Sequence, residues 1–107
     1  MARHGHHVYV IELDPAVMHE PRFARANPHW TGARPCVYVG MTGLTPALRF
    51  ARHKAGVKAN RFVQRHGLRL LPELYEYANP MPRGAALEME FELAEGLRSE
   101  GFAVWQA

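Results

Sequence analysis

Two tyrosines, an arginine and a histidine are spaced so that they could act together on a phosphate group. Tyr9 and Tyr38 lie within two short runs rich in valine, HVYVIEL and CVYVG, and Arg49 and His53 follow in a predicted helix. Residues four apart share one face of a helix. A guanidinium binds phosphate through charge-assisted hydrogen bonds, and an imidazole can position phosphate or relay a proton. The pattern indicates phosphate chemistry, although each residue alone could equally serve packing or a basic surface.

A glutamate in the last predicted helix, residues 83–100, is out of phase with its acidic neighbours. Glu88, Glu92 and Glu95 are spaced to share one solvated face. Glu90 lies about 200° around the helix from Glu88 and has apolar helical neighbours. A carboxylate on a buried face is costly unless something pairs with it. The sequence therefore predicts either a structural salt bridge to an arginine or a metal-binding carboxylate of the kind that magnesium uses.

The charges are unevenly distributed along the chain, whose net charge is +3. No Asp or Glu occurs between Pro21 and Pro72, and all ten acidic residues lie outside this span. A basic half of this kind favours a polyanion as partner, most commonly nucleic acid. The alternative is a solvated basic surface that only aids solubility. The ten basic residues of the span are Arg22, Arg25, Arg34, Arg49, Arg52, Lys54, Lys58, Arg61, Arg65 and Arg69.

Length and composition predict one globular domain over residues 1–107. A single cysteine, Cys36, excludes an internal disulfide and a cysteine-based zinc cluster. It also favours a reducing, cytoplasmic setting. No apolar run approaches the ~18 residues of a membrane span, so we expect no membrane partner.

Hydrophobic patterns and turn residues predict the elements that must position these side chains. Strands are predicted at 7–13, at 36–40 and at 68–77, the last interrupted by Pro72. Helices are predicted at 46–55, 59–66 and 83–100, with a possible short fourth strand at 102–105. Residues 15–35 are predicted to form a long connection. These elements define an α/β (α+β) domain in which a small three-stranded sheet is flanked by helices.

Several of these segments resemble the motifs of one nuclease family. The matching segments are His7-Val8-Tyr9, Tyr38-Val39-Gly40 followed by Met41-Thr42-Gly43, Arg49-x-x-x-His53, and Ala86-x-x-x-Glu90. In this order they resemble the GIY-YIG nuclease family over about residues 6–100. The resemblance implies a mainly antiparallel sheet and hydrolysis of DNA phosphodiester bonds with one divalent ion, Mg²⁺ or Mn²⁺.

The resemblance also implies roles for individual residues. Tyr9 or Tyr38 helps to activate the attacking water, and Arg49 together with a metal on Glu90 stabilises the phosphate charge. His53 acts as a phosphate contact or proton carrier. Contacts to the nucleic acid are expected from Gly40, Thr42, Arg52, Lys54, Lys58, Arg61 and Arg65.

A domain of 107 residues has little room to read a base sequence. We therefore expect structure-selective or weakly sequence-specific action on DNA, with RNA as a possible substrate, or a protein partner that supplies specificity. Two rival hypotheses stay open: a catalytically inactive nucleic-acid-binding module of the same fold, and a protein-interaction domain with an incidental basic surface.

Overall fold

Two antiparallel strands form the centre of the sheet in the computed structural model, which describes residues 4–107. Strand β1, His7–Leu13, pairs along its whole length with β2, Cys36–Thr42, so that Tyr9 lies opposite Gly40. Both strands are rich in β-branched and aromatic residues and are almost completely buried. The two predicted tyrosine strands are thus present, and β2 extends two residues beyond its predicted end. Residues 1–3 of the predicted domain lie outside the described residues.

Two short strands complete a mixed sheet in the order β3-β1-β2-β4. Strand β3, Gly67–Leu70, is antiparallel to β1, and β4, Ala103–Gln106, is parallel to β2. The α/β (α+β) fold class is confirmed, and the possible C-terminal strand makes the sheet four-stranded. The predicted third strand was too long: it ends at Leu70, and residues 72–78 form two short 3-10 turns. Proline has no N–H to donate to a sheet, so Pro72 ends the pairing.

Within residues 4–107, four helices surround the sheet: α1, Pro21–Ala26; α2, Pro46–Ala55; α3, Arg61–His66; and α4, Arg83–Ser99. Helix α2 begins and ends as local chemistry predicts. The Thr45 hydroxyl accepts a hydrogen bond from the Leu48 N–H at 3.2 Å, and Gly56 adopts a left-handed φ of 83° at the other end. Helix α3 begins two residues later than predicted, because the Asn60 side chain caps it.

The long connection between β1 and β2 packs against the sheet. It contains a 3-10 turn at Pro15–His19 and helix α1. After α1, the Asn27 side chain donates to the Val104 carbonyl at 3.1 Å and accepts from the Val104 N–H at 2.8 Å. Asn27 therefore satisfies part of the exposed backbone edge of β4, which would otherwise be open to further strand pairing.

The sheet has two buried faces. Side chains alternate along a strand, so Tyr9, Tyr38 and Trp105 point to the same side. We call this side the tyrosine face, and it is covered by α1, α2 and α3. Trp105, for example, packs against Phe62 of α3 with ring centroids 4.8 Å apart. The other side, the α4 face, is covered by α4, which contacts β1, β2 and β4.

The described residues include no helix that is long and apolar enough to cross a membrane. Cys36 is buried at the start of β2, and burial raises the pKa of its thiol to about 11. The thiol is therefore protonated and poorly reactive at neutral pH.

Candidate active site

Tyr9 and His53 form a buried hydrogen-bonded pair between β1 and α2. The Tyr9 Oη and His53 Nε2 atoms are 3.0 Å apart, and the Asn60 backbone N–H donates to His53 Nδ1 at 3.1 Å. Because Nδ1 is an acceptor, the neutral ring carries its proton on Nε2 and donates it to Tyr9. Burial, and then the charge of Arg49, lower the His53 pKa to about 4. His53 is thus a neutral group that holds the Tyr9 phenol, and both of its ring nitrogens are engaged.

Tyr38 and Gly40 complete the surroundings of the Tyr9 ring. The Tyr38 ring centroid lies 6.1 Å from that of Tyr9 and 5.4 Å from that of His53. A Cβ atom at Gly40 would lie only 2.7 Å from Tyr9 Oη. Gly40 is buried, and its lack of a side chain makes room for the Tyr9 ring. It is therefore not the surface contact for nucleic acid that was predicted.

Both phenols are protonated at neutral pH. Burial raises the pKa of Tyr9, and Tyr38 adds to the effect, while the Arg49 guanidinium lowers it. Burial likewise raises the pKa of Tyr38, and Arg49 again opposes the change. In the free protein the two phenols are therefore hydrogen-bonding groups, and a phenolate at this site requires positive charge beyond that of Arg49.

Arg49 is a cation held in a fixed position. Its guanidinium donates to the carbonyl oxygens of Val57 at 3.2 Å and Lys58 at 2.8 Å. Lys58 has a φ of 47°, which is uncommon for a residue other than glycine. Arg49 also lines a cavity of about 260 Å³ together with Arg52, Lys58 and two apolar residues. A guanidinium has five N–H groups, so Arg49 keeps donors available for an anion in this cavity.

Glu90 is buried on α4, with 5% of its surface exposed, whereas Glu88, Glu92 and Glu95 are exposed. The helical periodicity therefore predicted correctly which of these glutamates is buried and which are exposed. Burial raises the pKa of Glu90, and a hydrogen bond from Gln106 opposes the change. The Gln106 Nε2 atom donates to Glu90 Oε1 at 3.2 Å.

The predicted structural salt bridge to Glu90 is wrong for the part of the chain that the structure describes. None of its ion pairs includes Glu90. The arginines of the basic span that form ion pairs, Arg65 and Arg69, are bound to Glu20 and Glu12 on other parts of the surface.

The structure brings Tyr9, Tyr38, Arg49 and His53 together, whereas Glu90 lies on α4 and is held by Gln106 at the end of β4. Gln106 follows Trp105 on β4 and so points to the α4 face, together with the Glu90 side chain that it holds. Tyr38 is the strand partner of Trp105, one residue from Gln106 in register. The charge of Glu90 contributes to the raised pKa of Tyr38. The charge of Glu90 on α4 and the phenol of Tyr38 on β2 therefore influence each other near the end of β4.

The surroundings of Glu90 fit a divalent cation whose remaining ligands are water molecules and phosphate oxygens. Residues 4–107 contain no group of three His, Cys, Asp or Glu side chains that could hold a metal ion alone. Magnesium is commonly bound by one or two carboxylates and keeps waters and substrate phosphates as its other ligands. Glu90 is a buried carboxyl group that accepts a hydrogen bond from the neutral amide of Gln106, and its remaining lone pairs can bind such a cation.

Three of the predicted nucleic-acid contacts are engaged within the protein. The Thr42 hydroxyl is buried and accepts from the Leu44 N–H at 3.0 Å. Arg65 pairs with Glu20 at 3.2 Å. Lys54 uses its ammonium group to bind the end of α3, at the carbonyl oxygens of Val63, Gln64 and Gly67.

The other predicted cations are free to meet a ligand. Arg52, Lys58 and Arg61 are exposed, and their side chains form no hydrogen bond or ion pair with the described residues. Arg52 and Lys58 line the cavity beside Arg49. Two of these three cations are thus placed to bind an anion together with Arg49.

Two residues of the site were missed from the sequence. Asn60 supplies the N–H that fixes the His53 tautomer, and its place before α3 is a readable capping signal. Gln106 supplies the hydrogen bond to Glu90, and it does so only because β4 pairs in parallel with β2. No local pattern reveals that pairing.

Comparison with known proteins gave no relative. No protein-family model matches the chain, and neither a curated protein nor a solved structure matches it. The resemblance of its motifs to the GIY-YIG family stays a prediction.

Proposed function

We propose that this domain is a divalent-metal-dependent endonuclease of the GIY-YIG type that hydrolyses phosphodiester bonds of DNA. The observation that carries the proposal is the convergence of Tyr9, Tyr38 and His53 beside the anchored guanidinium of Arg49. These residues come from β1, β2 and α2, and Arg49 lines a cavity together with two further cations, Arg52 and Lys58.

The side chains of the tyrosine face would bind the phosphate and orient the attacking water. Arg49 is already held by two carbonyl oxygens, so it can stabilise charge on a phosphate oxygen with little reorganisation. Tyr9 or Tyr38 helps to activate the water by hydrogen bonding, and the His53 Nε2–H holds the Tyr9 phenol in position. Arg52 and Lys58 position flanking phosphates without reading bases.

Glu90 would hold Mg²⁺ or Mn²⁺, with Gln106 orienting its carboxylate. The ion, when bound, supplies positive charge that stabilises the pentacovalent phosphate. A cation near Glu90 also removes the free-energy cost of burying an ionised carboxylate. A domain of 107 residues has little room to read a base sequence, so the expected action is structure-selective or weakly sequence-specific.

A second candidate function is a nucleic-acid-binding module without catalysis. The surroundings of Glu90 favour it, because within residues 4–107 no hydrogen bond joins this carboxylate to the tyrosine cluster. Such a module would use the same basic surface, would bind DNA or RNA with a steep dependence on salt, and would need no metal.

A nicking assay on supercoiled plasmid and on branched DNA, with magnesium, distinguishes the two candidates. We expect Arg49→Ala and Glu90→Gln to lower the cleavage rate by roughly 10²-fold or more. Glu88→Gln, an exposed glutamate on the same helix, is the matched control and should cleave at the wild-type rate.

Equal background cleavage by the wild type and Glu90→Gln on every substrate would overturn the nuclease proposal. DNA or RNA binding that Arg49→Ala weakens and Glu90→Gln does not, without turnover of any substrate, would support the binding module.

A further inference from the structure

A groove on the side of the molecule formed by α4 and the turn segment 72–78 is chemically unlike the basic cavity. It has a volume of about 600 Å³, and Leu74, Met89 and Leu93 contribute apolar side chains to it. Tyr77 lies at its edge with 76% of its surface exposed. Tyrosine is enriched in protein interfaces, where its ring packs and its hydroxyl remains near water.

The groove is lined by acidic residues and by no basic ones. Glu73, Glu92 and Glu100 line it, and none of them forms an ion pair within residues 4–107. The net charge of the chain is +3, so this acidic surface contrasts with the rest of the molecule. A basic partner would be attracted here and repelled by the surface around Arg49, whereas DNA would be repelled here.

A glycine in α4 supplies an independent observation. Gly96 lies within the helix and lines the groove, and a Cβ atom at this position would have no neighbour within 4 Å. Glycine within a helix is unfavourable relative to alanine, and the fold gives no packing reason for it here. The missing side chain allows another chain to approach the α4 backbone closely.

We propose that this groove binds a basic amphipathic helix of a partner protein. Apolar residues of the helix, at i, i+3, i+4 and i+7, would contact Leu74, Met89 and Leu93. Its flanking lysines or arginines would meet the three glutamates, and its backbone would pass close to Gly96. From Met89 to Glu100 the groove follows α4 for about 17 Å, enough for roughly three turns of a docked helix. The inference is independent of nuclease activity, because it uses none of the residues of the candidate active site.

The test uses the full chain and a fluorescein-labelled synthetic peptide with leucines at helical spacing and flanking lysines. Its controls are a scrambled peptide and one with glutamate in place of lysine. We expect saturable binding of the first peptide alone by fluorescence anisotropy. Gly96→Leu and Glu92→Lys should weaken that binding at least tenfold. Glu88→Lys, on the same helix outside the groove, should bind normally.

Gly96→Leu is a stringent test of the groove. It adds a helix-favouring residue in open space, so it is expected to raise the melting temperature. A loss of binding therefore cannot be ascribed to unfolding. Three results would overturn the proposal: tight binding by Gly96→Leu, equal binding of the scrambled or glutamate-flanked peptide, or a dimer in sedimentation experiments that Gly96→Leu disrupts. The last result would assign the groove to a second copy of this chain.

Discussion

The polar groups around Tyr9 and those around Glu90 differ in how they are paired. On the tyrosine face, both ring nitrogens of His53 and the guanidinium of Arg49 have fixed hydrogen-bond partners. On the α4 face, Glu90 is also buried, but its one side-chain hydrogen bond comes from the neutral amide of Gln106. A matched network stabilises the fold and fixes its geometry, whereas a buried charge without a counter-charge costs free energy.

This contrast shows which observations bear on function. A hydrogen-bonded cluster such as Tyr9 and His53 is compatible with a purely structural role as well as a preorganised active site. The position of Glu90 is different, because the described residues contain no cation that explains why a carboxylate is buried there. The α4 face therefore holds a carboxylate whose counter-charge a bound ligand would supply. The tyrosine face holds the side chains that would position this ligand.

The largest expected effect is a loss of stability in acid caused by the tyrosine face. The His53 pKa is lowered from 6.5 to about 4 in the folded protein, so between these values the unfolded chain binds more protons. Stability should fall by about 3 kcal/mol as the pH drops through this window. Urea titrations from pH 7 to pH 4 measure it, and His53→Gln should flatten the dependence.

Two carboxyl groups also have shifted pKa values, which is why the comparison with His53→Gln is needed. The Glu20 pKa is lowered by its hydrogen bond to His66, so Glu20 adds to the loss below its unfolded pKa. Burial raises the Glu90 pKa, so Glu90 acts in the opposite direction. An equally steep dependence in His53→Gln would show that His53 is not held neutral by its surroundings.

A smaller effect tests how tightly the tyrosine face is packed. Gly40→Ala would place a Cβ atom 2.7 Å from Tyr9 Oη and 2.8 Å from Tyr9 Cζ, in a buried strand. We expect a loss of about 2 kcal/mol of unfolding free energy, the typical cost of overpacking. Gly43→Ala is the control, because its nearest neighbour, His6 Nε2, would be at an ordinary 3.6 Å. If both variants are equally stable, the Tyr9 ring can move and the cluster is not preorganised.

The features that could be predicted from the sequence are those that local chemistry determines. Thr45, Pro46 and Gly56 set the ends of α2, and this placed Arg49 and His53 on one helix correctly. The burial of Glu90 followed from helical periodicity alone. Tyr9 and Tyr38 could be assigned to strands because β-branched residues surround them.

The features that could not be predicted depend on contacts between distant segments. Glu90 and Gln106 are joined through the parallel pairing of β4 with β2, which no short pattern specifies. Lys54 was expected to bind nucleic acid, yet its three hydrogen bonds to the end of α3 arise from how two helices meet.

The smallest expected effect is a gain of stability, and it tests whether Glu90 differs from the paired groups of the tyrosine face. If Glu90 is an uncompensated buried charge, Glu90→Gln removes that charge, keeps the side-chain shape and should stabilise the protein by about 1 kcal/mol at neutral pH. Glu88→Gln, at an exposed position on α4, should change stability by less than about 0.5 kcal/mol.

Thermal unfolding with and without manganese provides the second half of the test. Manganese should raise the melting temperature of the wild type and of Glu88→Gln, because a ligand of the folded state stabilises it, and should leave Glu90→Gln unchanged. Destabilisation of Glu90→Gln, with equal manganese responses in all three proteins, would show that Glu90 is a structural residue and that the two faces do not differ in kind.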